Sequence, residues 1–423
     1  MRFRALTILI GEREVGTLYQ AGELSRFRVA DDYANDANAP VVSLAWVSQQ
    51  PEQRSALLRD TLHPAFVGQA GKLPSFFQNL LPEGLLRQHL ASLRGCAPED
   101  HFELLAACGR DLPGNIYALP ANVDSATVQR LLADQSEPGQ ILPVASALAD
   151  GFSLSGMQPK LSLGRQGGRY TFRGRVDQHS VIGKLPTVDF PLLPEVEMLS
   201  MRLARLAGVE TCECELVPME LLEDQGELPV ATDAHFLAVS RFDRGANDRV
   251  HVEDFAQVFS VDPADKYRHI TYLDIMRLMM SLPSLGQSAV EEMVRRLLVN
   301  ELLGNYDAHL KNLGLRYLDG ITPTLSPAYD VVAYAAYLSG RGHALPILRT
   351  QDKHQLLSPL VPRTLCNELG LLEAPLRAVM RRCLVAALKY WEQEIAASRL
   401  LDQQKRHLLN HFRGHRLVAV ARK

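Results

Sequence analysis

Gly304-Asn305-Tyr306-Asp307-Ala308-His309-Leu310-Lys311-Asn312 is the stretch that decides the fold of this chain. It places a carboxylate at Asp307 and an amide at Asn312, and a second carboxylate follows at Asp330. Phosphoryl transfer uses that layout: an aspartate takes the proton of the attacking hydroxyl, an asparagine holds Mg²⁺, and a later aspartate on a separate turn completes the metal site. Alone, D-x-x-x-x-N also arises by chance wherever a polar loop follows a helix. What gives it weight is the order of residues upstream.

Asp150 to Leu163 reads as a strand, a glycine-containing bend and a second strand, followed by the turn Gly164-Arg165-Gln166-Gly167-Gly168. Glycine lets backbone N–H groups approach a phosphate. Next comes Val181-Ile182-Gly183-Lys184-Leu185-Pro186, similar to the strand whose lysine reaches nucleotide phosphates in V-A-I-K. A helical stretch from Glu195 to Leu206 then offers Glu195 and Glu197, either of which could pair with Lys184. Taken singly, a Ser-Gly bend is a hairpin loop and a strand-end lysine is solvated. Glycine bend, lysine strand, glutamate helix, catalytic loop and second aspartate in this order point to nucleotide-dependent phosphotransfer.

These residues resemble the HipA toxin kinases of bacterial toxin–antitoxin systems. The family's Ser-Gly-x-Gln-Pro-Lys loop is similar to Ser155-Gly156-Met157-Gln158-Pro159-Lys160, and its Asn-x-Asp-x-His-x-Lys-Asn loop to Asn305 through Asn312. Pro327-Ala328-Tyr329-Asp330 resembles its metal-binding motif. Arg241-Phe242-Asp243-Arg244 resembles its hinge, whose backbone, with Ser240, holds adenine. Phe76-Phe77-Gln78-Asn79-Leu80-Leu81-Pro82-Glu83-Gly84 resembles a motif of its N-terminal subdomain. Val196 stands where many members have Asn.

The resemblance implies an α+β, two-lobed protein-kinase-like fold: a β-rich N-lobe, an N-terminal α+β subdomain and a mostly helical C-lobe. It implies a serine/threonine kinase using ATP and Mg²⁺, with Asp307 as catalytic base, Lys184 on the phosphates, Glu197 pairing with Lys184, and Asn312 and Asp330 on the metal. ATP contacts are expected from Ser155, Gly156, Met157, Gln158, Pro159, Lys160, Ser240, Arg241, Phe242, His309, Leu310, Lys311 and Asn312. Autophosphorylation in the glycine loop falls on Ser153, with Ser155 the second candidate. A phosphate there, adding roughly −1.5 to −2 charge, would compete with nucleotide for the same amides. The implied partners are a small HipB-like DNA-binding antitoxin, through which alone DNA is met, and a protein substrate such as an aminoacyl-tRNA synthetase.

Composition agrees with a cytoplasmic enzyme of more than one unit: 423 residues, 47% hydrophobic, net charge −3. That charge gives no global affinity for nucleic acid. The six cysteines contain no C-x-x-C pair and suggest neither zinc nor a disulfide framework. Arg2 and Arg4 precede only the short run Ala5–Ile10, so neither a signal peptide nor a membrane span is expected. That run forms a hairpin with Val15–Tyr19. Three units are expected: 1–115, 116–245 with the glycine loop and Lys184, and 246–423 with the catalytic loop.

Val290, Met293, Val294, Leu297 and Leu298 recur with helical period, predicting a helix over Ala289–Leu303 with a Ser288/Glu291 capping box. A second helix is expected over Pro375–Ala396, and a polar turn over Asp31–Asn38. His309 reads as structural or nucleotide-orienting, and Lys311 as a phosphate-neutralising or a solvated lysine. The basic tail Lys405–Lys423 reads as a solvated face, with nucleic-acid contact the lesser reading. Two other functions fit less well: a small-molecule phosphotransferase, and a non-catalytic module that binds an antitoxin.

Overall fold

Strands β1 (Arg2–Ile10) and β2 (Arg13–Ala21) pair antiparallel and open a sheet in the order β4-β3-β2-β1-β5, where β3 is Leu24–Val29, β4 Val67–Gly68 and β5 Ile116–Pro120. A short β6 (Gln140–Ile141) runs parallel to β1. The computed structural model describes residues 2–48, 50–68, 70–124, 127–128, 131, 140–141, 144–146, 158–171, 179–223, 234–245, 248–349, 354, 356–358 and 360–421. Ser153, Ser155, Gly156 and Met157 therefore lie outside the described residues. The expected polar turn after β3 begins as the short helix α1 (Asp31–Asn35), whose Tyr33 and Ala34 are buried. Burial of those two side chains overrides the polarity of the segment.

The motif at Phe76–Gly84 spans the end of one helix and the start of another. α2 (Ser75–Asn79) ends, Leu80–Glu83 forms a loop, and α3 (Gly84–Arg94) begins. Pro82 cannot donate in a helix interior, which favours the break.

A second, antiparallel sheet has the order β10-β11-β9-β7-β8, with β7 Lys160–Gln166, β8 Arg169–Thr171, β9 His179–Lys184, β10 Cys214–Pro218 and β11 His235–Ser240. Helix α4 (Leu193–Leu206) packs on it and buries Glu195, Val196 and Glu197 in its first turns. One apolar cluster contains residues of both sheets, from Leu6 and Phe27 to Leu163 and Phe236.

The remainder is mostly helical, but not entirely. β12 (His251–Asp254), β13 (Gly314–Tyr317) and β14 (Pro323–Leu325) form a small third sheet whose first two strands lie on either side of the Asn305–Asn312 loop in the chain. α5 (Tyr272–Ser281) carries a Thr271/Asp274 capping box. α6 spans Gly286–Leu303, and Val290, Met293, Val294, Leu297 and Leu298 are all buried. Each such burial contributes about 1.5–3 kcal/mol. The expected Ser288/Glu291 box is absent: α6 starts earlier, at Gly286, so Ser288 is already inside the helix and its hydroxyl donates back to the Leu285 carbonyl at 3.0 Å. α6 ends at Gly304, whose left-handed φ of 64° closes the helix and turns the chain into the Asn305–Asn312 loop. The long helix α7 (Glu373–Ala397) matches the periodic reading. None of the described helices is long and apolar enough to cross a membrane.

Candidate active site

β7 and β9 pair so that Lys160 lies directly opposite Lys184. Cross-strand partners project from the same face, so both ammonium groups enter one cavity, and like charges so placed repel. Carboxylates offset that repulsion. Lys184 Nζ donates to Glu197 Oε1 and to Asp330 Oδ1, each at 2.5 Å. Burial alone would lower the Lys184 ammonium, but Asp330 and then Glu197 carry it well above the ordinary lysine range. Burial likewise opposes the charge on Asp330, yet Lys184 and Lys160 hold its carboxyl well below the usual carboxylate range. The negative charge that faces the lysines thus rests first on Asp330. Lys160 itself has no ion-pair partner among the described residues, and burial lowers its ammonium.

Asp330 adopts a left-handed φ of 57°, which aspartate tolerates better than most residues and which aims the carboxylate back at β9. Glu195 does not compete for the lysine: its carboxylate lies 3.5 Å from His235 Nδ1. Of the two glutamates that the sequence left open, Glu197 is therefore the one against Lys184.

Residues of the Asn305–Asn312 loop line the same cavity. Asn312 Nδ2 donates to the Asp307 carbonyl at 2.9 Å, and since only the amide nitrogen can donate, Oδ1 is left for a ligand. Asp307 Oδ1 accepts a 2.6 Å hydrogen bond from Tyr267 Oη. Burial raises the Asp307 carboxyl above its usual range, with the Tyr267 bond working against that rise. His309 is buried, with Nδ1 unpartnered, and burial followed by nearby Lys266 pushes it down to about 3. It is a neutral imidazole at physiological pH.

The cavity has a volume of about 430 Å³, within the range of small-ligand sites. Ile182, Val239, Leu315 and Val332 give it an apolar wall. Gln158, Lys160, Lys184, Asp307, Asn312 and Asp330 line the polar end, and Ser240, Arg241, Phe242, His309 and Lys311 also reach it.

Other expected contacts are placed differently. Leu310 is fully buried in the C-lobe core, and Pro159 uses its carbonyl to accept the Leu185 N–H. Arg241 spends its guanidinium on Asp111 and Asp243, at 2.9 and 3.0 Å, so only its backbone is left to face the cavity. Lys311 is neither solvated nor free for phosphate. Its Nζ donates to the Asn79 carbonyl at 3.0 Å and pairs with Glu83 at 3.1 Å. Glu83 also holds Lys266 at 2.9 Å. Burial would raise Glu83, but Lys311 and Lys266 bring it down to about 2.

Tyr267, Lys266 and the pairing role of Glu83 escaped the sequence reading. The segment from Asp262 to Thr271 has no period and no motif, and only folding brings it onto Asp307.

Among the described residues no group of three or more His, Cys, Asp or Glu side chains is placed to hold a metal. One carboxylate and one amide are what a Mg²⁺ ion completing its shell with phosphate oxygens and water requires, and Asp330 with Asn312 fits that donor set.

Residues 6–119 match the HipA N-terminal domain and residues 152–391 match the HipA-like C-terminal domain. Y4dM of Sinorhizobium fredii, a candidate kinase by name, is 38% identical over 275 residues, 64% of this chain and 65% of that protein. This chain thus spans just under two thirds of that relative. The serine/threonine-protein kinase toxin HipA of Shewanella oneidensis is 26% identical over 362 residues, 77% of this chain and 75% of that one. The solved complex of Shewanella oneidensis HipA with HipB and its operator DNA contains a chain that superposes with a TM-score of 0.69 at 20% identity, covering 97% of both chains. At that identity the superposition establishes the fold, two-lobed and kinase-like. With the C-terminal match alone extending over more than half of its length, this chain belongs to the HipA family.

Proposed function

We propose that this chain is an ATP- and Mg²⁺-dependent protein serine/threonine kinase acting as a HipA-like toxin. The observation that carries the reading is the convergence of Lys184, Asp330, Asp307 and Asn312 on one cavity from three separate segments, with Lys184 ion-paired to the buried Glu197 of α4. Asp307 accepts the proton of a serine or threonine hydroxyl. Lys184 and Lys160 face the phosphates, and Glu197 of α4 holds the Lys184 ammonium. Mg²⁺, held by Asn312 Oδ1 and Asp330, would supply charge neutralisation on the transferred phosphoryl group. The apolar wall at Ile182, Val239, Leu315 and Val332 suits an adenine ring, with the Ser240–Phe242 backbone at its edge.

The protein substrate on this reading is a translation factor such as an aminoacyl-tRNA synthetase. Glycine-loop autophosphorylation at Ser153 or Ser155 silences the enzyme. A HipB-like antitoxin restrains it and supplies any contact with DNA, a reading supported by the Shewanella complex.

Intact mass and peptide mapping after incubation with Mg·ATP, wild type beside Asp307→Asn, test it. Wild type is expected to gain phosphate at Ser153 or Ser155. The variant should lose about 10²-fold or more of the rate while keeping its fold. A wild-type protein that binds ATP yet gains no phosphate and passes none to a protein acceptor overturns the kinase assignment.

A further inference from the structure

A general base must hold one oxygen within hydrogen-bond reach of the acceptor hydroxyl, and a carboxylate on a loop turns freely about its last torsion unless something grips it. Among the described residues, the hydrogen bond given to the Asp307 carboxylate is the one from Tyr267 Oη, at 2.6 Å on Oδ1. The phenol ring is itself fixed: it stands edge-on to His309, centroids 5.0 Å apart and planes at 79°. The backbone beneath is tied to the same loop, since Leu310 N–H donates to the Lys266 carbonyl at 3.3 Å.

A second grip comes from the N-terminal part of the chain. Glu83 Oε2 holds Lys266 Nζ at 2.9 Å, next to Tyr267, while Glu83 Oε1 holds Lys311 Nζ, inside the catalytic loop, at 3.1 Å. One carboxylate from the Leu80–Glu83 loop thus clamps the segment that carries the tyrosine to the loop that carries the base. Ser260 and His269 flank that segment with left-handed φ of 53° and 68°, a conformation that non-glycine residues keep only where surrounding contacts enforce it.

We infer that Tyr267 is a positioning residue for Asp307, fixing Oδ1 so that Oδ2 meets the acceptor hydroxyl, and that Glu83 of the N-terminal subdomain holds Tyr267 in register through Lys266. The inference rests on the kinase reading and adds to it that the active site is incomplete without the N-terminal subdomain.

The experiment uses the full-length chain as wild type, Tyr267→Phe and Glu83→Gln. Initial rates of phosphate transfer from Mg·ATP to the chain itself and to dephosphorylated casein are measured over a range of ATP concentrations, beside nucleotide affinity and melting temperature. Tyr267→Phe is expected to lower the maximal rate about ten- to a hundredfold, with half-saturating ATP and nucleotide affinity within about twofold of wild type. Glu83→Gln, which keeps the shape and removes the charge, should lower the maximal rate in the same direction by a smaller factor. A maximal rate for Tyr267→Phe within twofold of wild type overturns the inference. So does a rise, which would mark the phenol as an obstacle to the acceptor, and so does a rate loss that tracks lost ATP affinity and lost melting temperature. If the wild type itself transfers no phosphate, the kinase reading fails and this inference falls with it. An active wild type with an unaffected Tyr267→Phe removes the inference alone.

Discussion

Replacing Lys184 by methionine removes the cation that faces both Glu197 and Asp330 while nearly preserving side-chain volume. Glu197 is 1% exposed and its Oε2 has no hydrogen-bond partner among the described residues, so the variant leaves a buried carboxyl group without its ion-pair partner. Breaking a buried ion pair from one side costs about 3–5 kcal/mol. The Asp330 side chain, at 28% exposure, keeps part of its hydration, which places the loss near the lower bound, about 3 kcal/mol. For a cooperative unit of 150–250 residues that corresponds to a melting temperature lower by about 6–12 °C, read by calorimetry at pH 7. Without the ammonium, Glu197 favours its protonated form in the folded state and its folded pKa lies further above its unfolded value. Its contribution is then fully present below the unfolded pKa of about 4.5 and lost as pH rises, so the deficit narrows on acidification. Adding Glu197→Leu to Lys184→Met replaces the pair by apolar groups and should recover most of the melting temperature without recovering phosphate transfer. A single variant melting within 2 °C of wild type, or a double variant melting below the single, would refute the charge-pair account.

Gly304→Ala is expected to destabilise by about 1–3 kcal/mol, measured as a lower denaturation midpoint, because the left-handed backbone closes α6 and a Cβ there would meet Ala335 Cβ at 2.7 Å and Tyr306 Oη at 2.9 Å. Glu83, held at about 2 by Lys311 and Lys266, has a folded pKa below its unfolded value near 4.5. Its contribution is therefore present above about pH 4.5 and lost as pH falls toward 2, and Glu83→Gln should flatten that part of the acid-unfolding curve. Asp330→Ala should abolish the Mg²⁺-dependent part of ATP binding in titration calorimetry, and unchanged affinity with metal present would remove its metal role.

The periodic elements were legible because helical burial writes itself every three to four residues: Val290 through Leu298 gave α6, and Leu376 through Trp391 gave α7. Their ends were less so. Ser288 and Glu291 satisfy the capping pattern as letters, but α6 starts at Gly286, and nothing in the local spacing distinguishes the two starts. The sheet at β12, β13 and β14 was missed because its strands have three or four residues each, too short for alternation to show.

The same division governs the site. Asp307, Asn312, Lys184 and Asp330 could be named from the chain because each sits in a short motif of fixed spacing. Between Glu195 and Glu197 the sequence could not choose on spacing alone; the direction of the first turns of α4, which sends one carboxylate to His235 and the other to Lys184, decides it. Tyr267 against Asp307, and Glu83 between Lys266 and Lys311, had no local signature at all. Those contacts join residues that are distant along the chain through single hydrogen bonds and ion pairs, which leave no period and no fixed spacing in a sequence. By itself the sequence named the polar groups that the fold gathers at one cavity. Only the tertiary structure determined which groups hold them, because holding depends on distance in space between segments whose separation along the chain is arbitrary.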